Sequence, residues 1–175
     1  MNLGDEAPDF SLPGTDGQTH SLADFAGAKA LVVIFSCNHC PYVKAYEDRI
    51  IQAQKDYAGK GARFVAINAN DASKYPEDGF AEMKKRAQEK GFNFPYLRDD
   101  SQETARRYGA THTPHLFVFD AGRRLAYTGK FDDNWEHPEK VRERYLAAAL
   151  DDLVAGRAPR TAETFAIGCT IKWKK

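Results

Sequence analysis

The feature that most constrains this chain is an apolar run that ends just before a pair of cysteines. Residues Ala30–Phe35 are all apolar and half of them are β-branched, which predicts a strand buried on both faces of a sheet. After Ser36 comes Cys37-Asn-His-Cys40-Pro41, and the pattern over residues 43–60 then predicts a helix. Cysteines between a buried strand and a helix lie where an α/β sheet presents reactive groups.

The rest of the chain alternates predicted strands and helices, which indicates a central mixed β-sheet flanked by helices, an α/β fold. Phe10 and Leu12, near turn-forming glycines and prolines, predict an N-terminal β-hairpin extension. A length of 175 residues predicts a single domain over 1–175, with 157–175 as a C-terminal tail packed on it. The further strands are predicted at 63–68, 94–97, 113–119 and 125–130, and the further helices at 80–90, 102–108 and 139–154.

Charge and composition exclude several classes of partner. The 25 basic residues balance 25 acidic ones, so the chain has no net positive charge that would attract nucleic acid or an anionic membrane surface. The first ten residues lack the basic and apolar regions of a signal peptide, which predicts a cytoplasmic protein. No phosphate-binding glycine motif occurs, so we expect no nucleotide and no other bound cofactor.

The spacing of Cys37 and Cys40 suits disulfide chemistry. Backbone N–H groups at a helix start favour a thiolate, and residues three apart bring two sulfurs towards bonding distance. His39 would favour the thiolate further, and Pro41 fits the first helical turn. We therefore predict a dithiol that cycles with a Cys37–Cys40 disulfide. Two inert buried thiols are one alternative. Another is a Cu(I) or Zn site formed by Cys37, Cys40 and a histidine, although we favour no metal.

Five segments carry a resemblance to a known family. The chain resembles the thioredoxin superfamily and, more narrowly, its peroxiredoxin-like (AhpC/TSA-type, redoxin) branch with a C-x-x-C motif. The matching segments are Ala7-Pro8-Asp9-Phe10, Cys37-Asn-His-Cys-Pro-Tyr-Val43, Thr113-Pro114, Phe131-Asp-Asp-Asn-Trp135 and Gly168-Cys169-Thr-Ile-Lys-Trp173.

The resemblance implies a thioredoxin-like fold and a thiol-disulfide oxidoreductase of antioxidant type. It also implies a cis peptide bond before Pro114, with the backbone of Thr113 facing an extended substrate. The substrates would be protein or small-molecule disulfides, or a peroxide. The electrons would come from an external dithiol, and the protein would be a monomer or a homodimer.

The cysteine segment departs from the peroxiredoxin pattern. Peroxiredoxins carry Thr-x-x-Cys, so Cys37 takes the threonine position and Cys40 the peroxidatic one. Thiol–disulfide exchange is therefore favoured, and a thiol peroxidase that uses Cys40 is the alternative. The attacking sulfur stays open, since motif order favours Cys37 and distance from the strand favours Cys40. The third cysteine, Cys169, is a possible resolving thiol, but we expect it to pack as a small apolar residue.

Overall fold

The computed structural model describes residues 1–175. Its strands are β1 (Ser11–Pro13), β2 (Thr19–Ser21), β3 (Ala30–Phe35), β4 (Ala62–Asn68), β5 (Tyr96–Arg98), β6 (His112–Thr113), β7 (His115–Phe119), β8 (Leu125–Gly129) and β9 (Cys169–Thr170). Its helices are α1 (Pro41–Ala58), α2 (Phe80–Lys90), α3 (Glu103–Tyr108) and α4 (Tyr145–Val154). None of these helices combines the length and the apolar character that crossing a bilayer requires.

The five-stranded central sheet has the order β5-β4-β3-β7-β8. Strand β3 runs parallel to β4 and antiparallel to β7, so the sheet is mixed, and the predicted fold class is confirmed. Strand β3 lies at its centre because its side chains are apolar on both faces. Leu31, Val33 and Phe35 belong to one hydrophobic cluster, and the alternate residues Val32 and Ile34 belong to the cluster on the other face.

The N-terminal hairpin predicted around Phe10 and Leu12 is confirmed. Strands β1 and β2 pair antiparallel, with Leu12 opposite His20. A bridge between Gly14 and Leu97 then joins the hairpin to the outer strand β5. The extension therefore lies against the parallel edge of the central sheet.

The prediction of one long helix over 139–154 is wrong in its first part. Helix α4 begins only at Tyr145, and Pro138–Lys140 forms a 3₁₀ turn instead. Asp133 accounts for the difference, because its N–H donates to the carbonyl of Glu143 and its carboxylate accepts from the N–H of Arg142. These bonds hold the segment extended at the point where a helix would need the same backbone groups.

The single strand predicted over 113–119 is divided at Pro114. Proline has no N–H group to continue a ladder, and the Thr113–Pro114 peptide bond is cis, as the resemblance implies. Strand β7 continues in the central sheet, whereas β6 pairs with β9 near the C-terminus. Cys169 lies opposite Thr113 in this antiparallel pair, so the C-terminal tail reaches the same proline.

Candidate active site

The C-x-x-C segment lies between the central strand and the first long helix. The N–H of Ser36 still bonds to the carbonyl of Ile67 on β4, so the sheet extends to the residue before Cys37. Cys40 is the N-cap of α1, and Pro41 occupies the first turn, where its missing N–H leaves no partner unsatisfied. Cys40 therefore lies where the free N–H groups of a helix favour negative charge.

Three sulfur atoms gather beside Thr113. The Sγ atoms of Cys40 and Cys169 are 2.9 Å apart. The Cys40 Sγ lies 3.4 Å from the carbonyl oxygen of Thr113, and the Cys37 Sγ lies 3.4 Å from the Oγ1 of the same residue. All three cysteines are free thiols. Cys37 and Cys40 are buried, at 2% and 0% exposure, whereas Cys169 is partly exposed.

The surroundings of the three thiols favour a negative charge on Cys40. The Cys37 thiol donates a hydrogen bond that lowers the pKa of Cys40, and the Cys169 thiol and the N–H of Val43 act in the same direction against burial. The pKa of Cys37 is raised because it donates to Cys40 and is itself buried. Burial and its contact with Cys40 also raise the pKa of Cys169. One thiolate between two thiols is therefore the favoured state.

His39 is directed towards a carboxylate. Its Nδ1 lies 2.8 Å from the Oδ2 of Asp78, and its ring stacks on Tyr75 with centroids 5.9 Å apart. One ligand atom each from Cys37, His39 and Asp78 lies within 4.8 Å of the other two, which makes these residues the candidate holders of a metal ion. Cys40 does not belong to this set.

Asp78 is a functional-site residue that the sequence reasoning missed. Its carboxylate is fully buried and accepts from the N–H of Asn38 at 2.7 Å. It also accepts from the amides of Asn68 at 3.2 Å and Asn70 at 3.0 Å. Because Asn38 lies between the two cysteines, this carboxylate fixes the conformation of the C-x-x-C segment.

A second ring of contacts supports the same segment. The hydroxyl of Tyr96 donates to the Oδ1 of Asn38 at 2.7 Å, and Arg98 donates to the carbonyl of Asn70 at 2.6 Å. Asn68 and Arg98 end β4 and β5, at the edge of the parallel strands where β3 delivers Cys37. Polar residues at adjacent carboxyl ends were the signal in the sequence that would have found this network.

The fold and these thiols together define a redox protein with a thioredoxin-like fold. The model of the AhpC/TSA family matches residues 3–128, and the chain belongs to that family. The recognition from sequence is thus confirmed, and so is the class of function, a thiol-based oxidoreductase.

Three similar proteins illustrate the relationship. An uncharacterized conserved protein from Geobacillus kaustophilus has a crystal structure with 43% identity and a TM-score of 0.94, covering 99% of this chain and 93% of that one. The thiol-disulfide oxidoreductase ResA of Geobacillus thermodenitrificans is 23% identical over 80% of this chain and 78% of its own. Peroxiredoxin Bcp of Escherichia coli is 22% identical over 78% and 84% of the two chains.

Proposed function

We propose that this protein is a thiol-disulfide oxidoreductase in which Cys40 attacks and Cys37 resolves. The observation that carries the proposal is the position of Cys40 at the start of α1, where the Cys37 thiol and the N–H of Val43 both favour its thiolate. Thiolates, and not thiols, are the nucleophiles of disulfide exchange. The substrate class is a protein or small-molecule disulfide.

The exchange proceeds in two displacements. The Cys40 thiolate attacks one sulfur of the substrate disulfide, and the other substrate sulfur leaves as a thiolate that takes up a proton. Cys37 then loses its proton to the second leaving sulfur and attacks Cys40, forming the Cys37–Cys40 disulfide. Two electrons pass to the substrate, and an external dithiol restores the reduced pair.

Thr113 and Pro114 shape the substrate side of the site. The carbonyl of Thr113 lies 3.4 Å from the Cys40 sulfur, and its hydroxyl lies at the same distance from the Cys37 sulfur. A substrate disulfide that reaches Cys40 must therefore pass close to Thr113. We assign these two residues to substrate positioning, with Pro41 at the start of the helix that carries Cys40.

Trapping with glutathione disulfide tests the assignment of attacker and resolver. We expect the Cys37→Ser/Cys169→Ser double variant, which lacks both sulfurs able to resolve, to gain one glutathione on Cys40. The Cys40→Ser variant serves as the matched control and should gain none at a comparable rate. Mass spectrometry of both proteins decides. Faster labelling of Cys37 in the Cys40→Ser variant would contradict the assignment.

Peroxide reduction by Cys40 is a second reaction that the same thiolate would permit. The family and the lowered pKa of Cys40 favour it, whereas Cys37 stands at the threonine position of the peroxiredoxin pattern. Stopped-flow oxidation of the reduced protein by hydrogen peroxide separates the two functions. We expect peroxide to oxidise Cys40 far more slowly than a disulfide does.

Metal binding is a second candidate function, because Cys37, His39 and Asp78 cluster closely. The Asp78 carboxylate is already the acceptor of three amide groups, so it offers little free capacity as a ligand. Elemental analysis of protein purified without chelator, repeated on Cys37→Ser, tests this candidate. Stoichiometric Cu or Zn that the variant loses would favour it over redox cycling.

A further inference from the structure

The C-terminal tail occupies the edge at which a substrate would pair. Strand β9 runs antiparallel to β6, with Cys169 opposite Thr113 and Thr170 opposite His112. The preceding Gly168 packs so closely that a Cβ there would lie 2.0 Å from the Thr113 carbonyl oxygen. The tail thus presents Cys169 to Cys40 in the manner of an extended peptide beside the cis proline.

The tail is firmly anchored just beyond Cys169. Ile171 is 4% exposed in the main hydrophobic cluster, and its N–H donates to the carbonyl of Thr111. The carbonyl of Lys172 accepts from the N–H of Asp71 at 2.8 Å. Its own N–H donates to the Oδ1 of Asn70, a residue of the network around Asp78.

Gln102 adds a second anchor. Its side chain is fully buried, and its amide donates to the carbonyl of Lys172 at 2.9 Å while its Oε1 accepts from the N–H of Lys174 at 3.0 Å. Gln102 holds this position with a backbone φ of 67°, in the left-handed region that residues other than glycine rarely adopt. These bonds fix the residues after Cys169 against Asp71, Asn70 and Gln102.

The three cysteines differ in exposure to solvent, and the difference suggests a path for electrons from outside to the inner pair. Cys37 and Cys40 are buried, and the partly exposed Cys169 lies directly against Cys40. An external thiol therefore meets Cys169 before it meets the inner pair. Because the tail is anchored on its far side, a partner does not need to displace it if Cys169 itself reacts.

We propose that Cys169 is a third redox cysteine, through which an external dithiol exchanges electrons with the buried Cys37–Cys40 pair. The proposal rests on the proposed function of that pair. It makes Cys40 a shared sulfur that forms a disulfide with Cys37 or with Cys169. It also assigns Cys169 the contact with the external dithiol.

The relay balances as three displacements. First, the Cys169 thiolate attacks Cys40, the Cys37–Cys40 bond breaks, and the Cys37 sulfur takes up the proton that Cys169 lost; no net oxidation occurs. Next, one thiol of the external dithiol loses its proton to solvent and attacks Cys169, and Cys40 leaves as a thiolate. The second thiol of the external dithiol then attacks the first, which is bound to Cys169. The bond to Cys169 breaks, and Cys169 takes up the proton of the attacking thiol. The external dithiol ends as a disulfide, and the inner pair ends reduced.

Two measurements on the full chain test the relay. In the first, Cys37→Ser is treated with glutathione disulfide and mapped by mass spectrometry without reduction. We expect a Cys40–Cys169 disulfide with no stable glutathione adduct. A lasting glutathione adduct on Cys40, with Cys169 still a free thiol, would overturn the proposal. This outcome does not depend on whether Cys37 or Cys40 attacks the substrate in the proposed function.

In the second measurement, dithiothreitol reduces the oxidised wild type, Cys169→Ser and the neighbouring control Thr170→Ser. We expect the rate for Cys169→Ser to fall about tenfold or more, with Thr170→Ser unchanged. Equal rates in all three would overturn the relay while leaving the proposed function standing. Failure of the wild type to form any Cys37–Cys40 disulfide would instead defeat the proposed function.

Discussion

Two regions deliver a sulfur to Cys40, and they do so by different means. The active-site loop, residues 36–40, continues directly from the central strand and is fixed by the buried carboxylate of Asp78. The C-terminal tail, residues 157–175, brings Cys169 to Cys40 from 129 residues further along the chain, and it is held by strand pairing and by the neutral amide of Gln102. Local sequence therefore determines one neighbouring thiol of Cys40, and tertiary contacts determine the other.

The sharpest test of this comparison removes the sulfur that both regions share. We expect Cys40→Ser to lower the rate of disulfide reduction by about a thousandfold or more, because the sulfur that we propose to attack the substrate is then missing. Steady-state reduction of glutathione disulfide, coupled to an external dithiol, measures the effect. Retention of more than a tenth of the activity would show that Cys37 or Cys169 attacks substrate directly.

Removing the carboxylate that holds the loop should give the next largest effect. Asp78→Ala leaves the buried N–H of Asn38 and the amide of Asn70 without an acceptor, so we expect the free energy of unfolding to fall by about 3 kcal/mol. Urea unfolding measures it. Glu77→Gln, on the exposed neighbour, is the matched control and should change stability by less than about 0.5 kcal/mol. Equal effects of the two variants would refute the role given to Asp78.

The corresponding change in the tail should have a smaller effect on stability and a specific effect on reactivity. Gly168→Ala forces the tail away from the Thr113 carbonyl, at a cost of about 2 kcal/mol. Cys169 should then react faster with iodoacetamide, since it separates from Cys40, and peptide mapping of the labelled protein checks this. An unchanged labelling rate would mean that the approach of Gly168 to Thr113 does not set the position of Cys169.

The smallest expected effect is a pH dependence of the free energy of unfolding, which arises from His115, the residue after Pro114. Burial lowers the pKa of His115 to about 4, so the folded state keeps this residue neutral while the unfolded chain takes up a proton. Its contribution to stability is fully present above pH 6.5 and is lost as the pH falls towards about 4. Because His115 is partly exposed, we expect a loss of only about 1 kcal/mol.

A His115→Gln variant separates this contribution from the rest of the acid response. Its stability should fall less steeply than that of the wild type between pH 6.5 and about 4, as followed by urea unfolding at several pH values. Identical slopes for the two proteins would show that another group accounts for the change.

The sequence predicted the elements around the active-site loop well, because they depend on local patterns. The bounds of β3 and α2 are those expected from their apolar periodicity, and the cis bond before Pro114 follows from the family resemblance. Helix α4 was predicted too long because bonds between Asp133 and the residues nine and ten positions further on hold that segment extended. No local pattern contains such a contact.

The role of Asp78 was missed for a related reason. Asp78 ends the 3₁₀ turn Pro76–Asp78, whose polar sequence resembles a solvated turn, and only the closeness of strands β3, β4 and β5 brings hydrogen-bond donors to its carboxylate. Cys169 was named as a possible resolving thiol, with packing as a small apolar residue preferred, because no local pattern around it indicates which sulfur lies next to it. The pairing of β6 with β9 creates that contact.

The most direct test of the account is a disulfide map of the wild-type protein across a series of glutathione redox buffers. If Cys40 is the shared sulfur, every internal disulfide recovered should contain it, as Cys37–Cys40 under most conditions and as a minor Cys40–Cys169 species. A disulfide that joins Cys37 to Cys169, or a Cys40 that stays a free thiol while the other two oxidise, would contradict the account.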